Sequence, residues 1–148
     1  MQENKKNAVE ILLVEDNPAD IRLAREVLGV WRNRFNLNVA QTGDAALALL
    51  RREGVHAGKP KTSLVLLDLN LPGKSGLDVL TEIKSDKELK RIPVIILTNS
   101  FMQSDVDSAY EFHANCYIVK PIDLPEFGKV ARAIENFWLT VARLPEAC

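Results

Sequence analysis

Four short apolar runs punctuate the chain: Glu10–Val14, Leu64–Leu67, Val94–Leu97 and Tyr117–Val119. They do not alternate polar with apolar positions, and unbroken runs of Val, Ile and Leu mark strands covered on both faces, as in a parallel sheet between helices. Leu37–Ala40 does alternate, which suits an edge strand. Between the runs the period lengthens. Ile21, Ala24, Val27, Leu28 and Trp31 recur at helical spacing with Arg22, Arg25 and Glu26 opposite, and Asn17-Pro18 supplies a cap and a first-turn proline. Ala45–Arg52, Leu77–Lys84, Gln103–Phe112 and Leu124–Val141 read the same way, the last opening on the capping-box pattern Asp123-Leu124-Pro125-Glu126. Breakers fall between them, at Gly54–Pro60, Pro72–Gly76 and Lys120-Pro121.

Strict alternation of strand and helix with right-handed crossovers predicts an α/β fold: a doubly wound, five-stranded parallel sheet with five helices, in the flavodoxin-like order 2-1-3-4-5. Such sheets bind ligands beyond the carboxyl ends of their strands, near the point where strand order reverses.

The 148 residues make one domain, and 47% hydrophobic residues are enough for a core without disulfide or metal staples. With 19 Lys+Arg against 20 Asp+Glu the net charge is −1, which lacks the basic footprint of a nucleic-acid binder. Lys87, Lys90 and Arg91 sit beside Asp86 and Glu88 and read as a solvated face. The apolar runs are far shorter than the 18 or so residues of a membrane span. Lys5-Lys6 precedes an apolar stretch that Glu10 breaks and Glu15-Asp16 closes, unlike a signal peptide. A soluble, cytoplasmic protein is expected, with Cys116 as a buried small hydrophobe and Cys148 as an incidental tail thiol.

Chemistry gathers at the predicted strand ends. Glu15 and Asp16 follow the first strand, Asp68 the third, Thr98 the fourth and Lys120 the fifth. Singly each has a plain explanation: a helix-favouring acid pair, a turn acid, a β-branched strand residue, an exposed lysine. Together the three carboxylates converge where charges about 4 Å apart repel by about 4 kcal/mol per pair at an effective dielectric near 20. Either one carboxyl stays protonated or a divalent cation binds. An all-oxygen set without His or Cys suits Mg2+, or another hard divalent ion such as Mn2+, which seeks phosphate as a co-ligand. Lys120 adds a compact cation and Thr98 a rotatable donor. A carboxylate so flanked is equipped to accept a phosphoryl group, a reaction that depends mostly on positioning and charge neutralisation.

On these residues the chain resembles the receiver domain of two-component response regulators, a CheY-like fold. The matching pieces are Ile11–Asp16, Leu67–Gly73, Ile96–Thr98 and Tyr117–Pro121, in the family's order and covering Val9 to about Leu139. The resemblance implies that Asp68 takes phosphate from a sensor kinase phosphohistidine. Asp16, Asp68 and the backbone carbonyl of Asn70 would then ligate Mg2+, with Glu15 acting through a coordinated water. Thr98 and Lys120 would hold the phosphoryl oxygens, and Thr98 and Tyr117 would form the switch. Tyr117 is equally explained as a half-buried strand aromatic. Asn99 stands where most receivers carry a small residue, and the Trp31–Asn36 connection is longer than usual. Asp16–Asp20, Leu97–Ser100, His113–Tyr117 and Phe137–Leu139 are similar to the small regulators that serve cyanobacterial phytochromes, which implies a phytochrome as the kinase partner.

The chain runs out soon after the fifth predicted helix, so no output domain is expected and the signal should leave through a surface. Leu124–Val141 would be about 27 Å long as a helix, against about 16 Å for a five-residue strand. Its final turns should overhang the sheet, exposing Phe137, Trp138 and Leu139, which points to a homodimer through the last helix and its neighbouring strand. The alternative is a C-terminal segment folded back over those rings.

Three competing functions are weaker. A flavin carrier needs a Gly, Ser and Thr phosphate cradle after its first strand, where this chain has Glu15-Asp16-Asn17-Pro18. An aspartyl phosphatase needs a general acid, and Asn70 rather than an acid stands two residues after Asp68. A receiver-like adaptor that is never phosphorylated would not need the full set of reactive side chains. His56 and His113 lack a phosphohistidine-like setting and read as solvated or locally bonded, so the chain should receive phosphate without originating it.

Overall fold

A computed structural model describes residues 9–29, 35–121 and 123–145. Trp31, most of the Trp31–Asn36 connection, Lys5-Lys6 and Cys148 lie outside the described residues. The strands are β1 (Val9–Val14), β2 (Phe35–Ala40), β3 (Leu64–Leu67), β4 (Val94–Thr98) and β5 (Cys116–Val119), all parallel in the order β2-β1-β3-β4-β5. The helices are α1 (Pro18–Gly29), α2 (Gly43–Leu50), α3 (Gly76–Ser85), α4 (Gln103–Glu111) and α5 (Leu124–Asn136), the last running on into a π-helical turn at Phe137–Val141. Both the fold class and the strand order match the expectation. No helix among the described residues is long and apolar enough to cross a membrane.

Alternate residues of each central strand enter opposite halves of the core. Ile11, Leu13, Leu64, Leu66, Ile95 and Leu97 pack with Ala24 and Leu28 of α1 and Phe127, Ala131 and Ile134 of α5. Leu12, Val14, Val65, Leu67, Val94 and Ile96 pack with α2, α3 and Ala109 of α4. Two-sided burial is why these strands have no polar face. β5 departs from that expectation: it is an edge strand, half-buried, with Val119 43% exposed. Cys116 on the same strand is likewise half-buried, which corrects the expectation of a fully buried thiol.

The helix starts are fixed by side chains. Asn17 Oδ1 accepts from the N–H groups of Ala19 and Asp20 at the head of α1 (2.9 and 3.2 Å). Ser75 Oγ accepts from Asp78 N–H on α3 (3.2 Å), and Asp123 Oδ1 from Glu126 N–H on α5 (2.9 Å). Such caps satisfy donors that the helix itself leaves open. The last helix also corrects an expectation. Phe137 (52% exposed) and Val141 (71%) do face solvent, but Trp138 and Leu139 are half-buried against the core that α5 shares with α1. The expectation rested on helix length alone; Trp138, four residues beyond Ile134 and seven beyond Ala131, stays on the face that α5 turns to the core.

One glycine ties the fold to the rim of the sheet. A Cβ on Gly76 would lie 2.3 Å from the Asp68 carbonyl oxygen and 2.5 Å from Leu69 Cα, and Gly76 N–H donates to the Leu69 carbonyl (3.0 Å). Because the blocking atoms are backbone, Gly76→Ala should destabilise the protein by about 1–3 kcal/mol. A lower urea midpoint with an unchanged slope would be the expected result.

Candidate functional site

The strand register places the reactive residues at one level. Val14 pairs with both Ala40 and Leu67, Leu67 with Ile96, and Thr98 with Val119. The residues just beyond these pairs therefore leave the sheet together: Asp68 N–H donates to the Val14 carbonyl (3.0 Å) and Lys120 N–H to the Thr98 carbonyl (2.7 Å). Order reverses between β1 and β3, so Glu15, Asp16 and Asp68 emerge at the switch point of the sheet.

Three acids converge there. Glu15, Asp16 and Asp68 each present a carboxylate oxygen, and these oxygens lie within 4.8 Å of one another. Glu15 and Asp68 are buried and Asp16 is half-buried. Asp68 Oδ1 accepts from Asn70 N–H (3.0 Å), and Glu15 Oε2 from Asn17 N–H (3.2 Å), so both carboxylates are held by their own loops. The Lys120 ammonium, 4% exposed, donates to Glu15 Oε1, to Asp20 Oδ2 (2.8 Å) and to Asp68 Oδ2 (3.0 Å). Its engagement with all three was not legible in the sequence. Nor was Asp20, whose place in the first turn of α1 reads only as a helix-favouring acid.

Charge around the site is unbalanced. Burial raises the Glu15 carboxyl to about 7, with Asp68 adding to the rise and the Lys120 hydrogen bond opposing it. Burial alone would lower the Lys120 ammonium, but hydrogen bonds to Asp20 and Glu15 outweigh it and hold the lysine protonated well above its usual range. One ammonium thus faces surplus negative charge. An all-carboxylate group of this spacing fits a hard divalent cation, which would sit among Glu15, Asp16 and Asp68 and neutralise the excess.

The other expected residues flank this centre. Thr98 is fully buried at the end of β4, and its Oγ1 has no hydrogen-bond partner among the described residues. An orphaned buried hydroxyl at the sheet rim is a donor held ready. Tyr117 is half-buried; its hydroxyl donates to the Ser100 carbonyl (2.9 Å), and burial, opposed by that contact, raises its phenol. Asn99 is exposed and Asn70 contributes backbone, its side chain lying at the surface. Phe137, Trp138 and Leu139 lie outside the site, on the far part of the last helix. His56 is half-buried and His113 exposed, and neither contacts these acids through any bond found among the described residues.

Comparison with known proteins identifies the family. The model of the response regulator receiver domain family matches residues 11–132. The response regulator Rcp1 of Synechocystis sp. is 47% identical over 137 residues, spanning 93% of each chain. A crystal structure of the phosphorylated cyanobacterial phytochrome response regulator RcpA superposes with a TM-score of 0.90 at 45% identity, covering 94% of this chain and 99% of that one. The Mn(2+)-bound form of Rcp1 superposes with a TM-score of 0.87 at 46% identity, covering 93% and 99%.

If the acids bind a divalent ion as a group, Mn2+ at a hundredfold excess over its Kd should stabilise the protein by about 2.7 kcal/mol. Asp16→Asn should abolish most of that gain while leaving the metal-free midpoint near wild type, as read by thermal unfolding with and without Mn2+.

Proposed function

Because the chain belongs to the response regulator receiver domain family, we propose that it is a single-domain phosphoacceptor of a two-component pathway, taking a phosphoryl group from a sensor histidine kinase on Asp68. The observation that carries this reading is the convergence of Glu15, Asp16 and Asp68 within 4.8 Å, with the Lys120 ammonium 3.0 Å from Asp68 Oδ2. The likeness to Rcp1 and to the phytochrome regulator RcpA supports a phytochrome-type kinase as the donor.

In this reading an Asp68 carboxylate oxygen attacks phosphorus, the P–N bond to the kinase imidazole breaks, and its electron pair returns to the ring nitrogen. Asp16, Asp68 and the backbone carbonyl of Asn70 would hold Mg2+ or Mn2+, with Glu15 contributing through water, and the ion would supply neutralisation of negative charge during the transfer. Lys120, already beside Asp68, pairs with one phosphoryl oxygen, and the unpartnered Thr98 hydroxyl donates to another. Drawing Thr98 toward phosphate loosens its surroundings at the end of β4, and Tyr117, hydrogen-bonded to Ser100 two residues on, is placed to register the change. Thr98 and Tyr117 thus form the switch. No titratable side chain stands at Asn70 to drive turnover, so the protein acts as a signalling acceptor and not as a hydrolytic enzyme.

The signal leaves through protein contacts. We place a homodimer on the last helix and the adjacent edge strand, where Val119, Leu124, Phe137 and Val141 are 43%, 51%, 52% and 71% exposed. Phe137 and Val141 carry this surface, whereas Trp138 and Leu139 support it from beneath. The reading is of a receiver domain working in the cytoplasm, where its half-buried free Cys116 meets a reducing environment.

A small-molecule phosphodonor such as acetyl phosphate, added with Mg2+, should add one phosphoryl group to the intact mass. Asp68→Asn should show no addition, and chelation should suppress it in wild type; equal labelling of the variant would overturn the assignment. Phe137→Glu should shift velocity sedimentation to a monomer while changing unfolding by no more than about 0.5 kcal/mol, as expected for an exposed position.

A further inference from the structure

Asp20 stands outside the acid group that suits a cation, yet it shares that group's lysine. An ammonium has three N–H donors and a compact charge, and Lys120 directs them to three different carboxylates: Glu15, Asp20 at 2.8 Å and Asp68 at 3.0 Å. Glu15 and Asp68 are also members of the cluster that a divalent cation would occupy. Lysine and cation therefore draw on the same two carboxylates. Asp20 is the one lysine partner that the cation does not need.

Its position suits that part. Asp20 projects from the first turn of α1, where its N–H donates to Asn17 Oδ1 (3.2 Å), and Asn17 N–H in turn donates to Glu15 Oε2 (3.2 Å). The lysine's holder and one of the contested acids are thus set by a single short loop. The Asp20 side chain is 27% exposed against 4% for Lys120 and 6% for Asp68, so it meets the ammonium from the outer side of the site. We infer that Asp20 is a positioning residue that draws Lys120 outward from Glu15 and Asp68 and thereby raises the affinity of the site for a divalent cation. The inference rests on the cation reading given above. Without Asp20 the lysine turns wholly onto the two inner acids, and a cation must displace it to bind.

The test is a double-mutant cycle read by calorimetric titration with Mn2+: wild type, Asp20→Asn, Lys120→Gln and the double variant. Asp20→Asn should weaken Mn2+ binding about tenfold, the lower end of what partners of metal ligands contribute. In the Lys120→Gln background the same substitution should change affinity by no more than about twofold, the margin expected for uncoupled positions. Asp20→Glu should recover most of the lost affinity. Asp20→Ala runs the same cycle should the amide variant fold poorly. An unchanged affinity in Asp20→Asn would overturn the inference. So would an equal loss in both backgrounds, which would make Asp20 a remote charge acting without the lysine. If wild type bound no Mn2+ at all, the cation reading itself would fall, and this inference with it.

Discussion

The Lys120 ammonium is what allows four carboxylates to stand on one rim. Glu15, Asp16, Asp20 and Asp68 are delivered there by β1, β3 and the start of α1, and the ammonium reaches three of them. Unit charges about 4 Å apart repel by about 4 kcal/mol at an effective dielectric near 20, so the acids would spread if the lysine were removed and nothing replaced it. The lysine is equally dependent on them. A buried ammonium without partners is strongly unfavourable, and only the parallel register, with Lys120 N–H on the Thr98 carbonyl, brings it within reach. The apolar sheet beneath thus serves mainly to hold opposed charges at fixed separations.

Much of this was legible from residue order. Continuous apolar runs implied strands covered on both sides, and Leu12 and Leu13 do enter opposite halves of the core. The site came out of the fold, because a doubly wound sheet aims its strand ends at one place, and Glu15, Asp16, Asp68, Thr98 and Lys120 all fall there. Asp20 escaped notice because nothing in its local pattern separates it from an ordinary first-turn acid; its contact spans 100 positions and exists only once the chain is folded. Trp138 and Leu139 were misplaced for a different reason. Comparing helix and strand lengths suggested an overhang that would bare Phe137, Trp138 and Leu139 alike, whereas Trp138 keeps the face of Ile134 and Ala131 and packs on the core.

The two flanks of the acid cluster differ in character. On one side the Tyr117 phenol donates to the Ser100 carbonyl, Ser100 Oγ donates to Asp105 and accepts from Met102 N–H, and the Thr98 hydroxyl is uncommitted among the described residues. Beyond Ser100 the chain shows Phe101 and Met102 to solvent.

On the other side Gly76 rests directly against the backbone of Asp68 and Leu69, with no side chain between them. That abutment is stiff, since packed backbone has no rotamer to yield. The start of α3 and the loop that carries Asp68 are consequently locked at one separation, so the acid enters the site from a fixed wall.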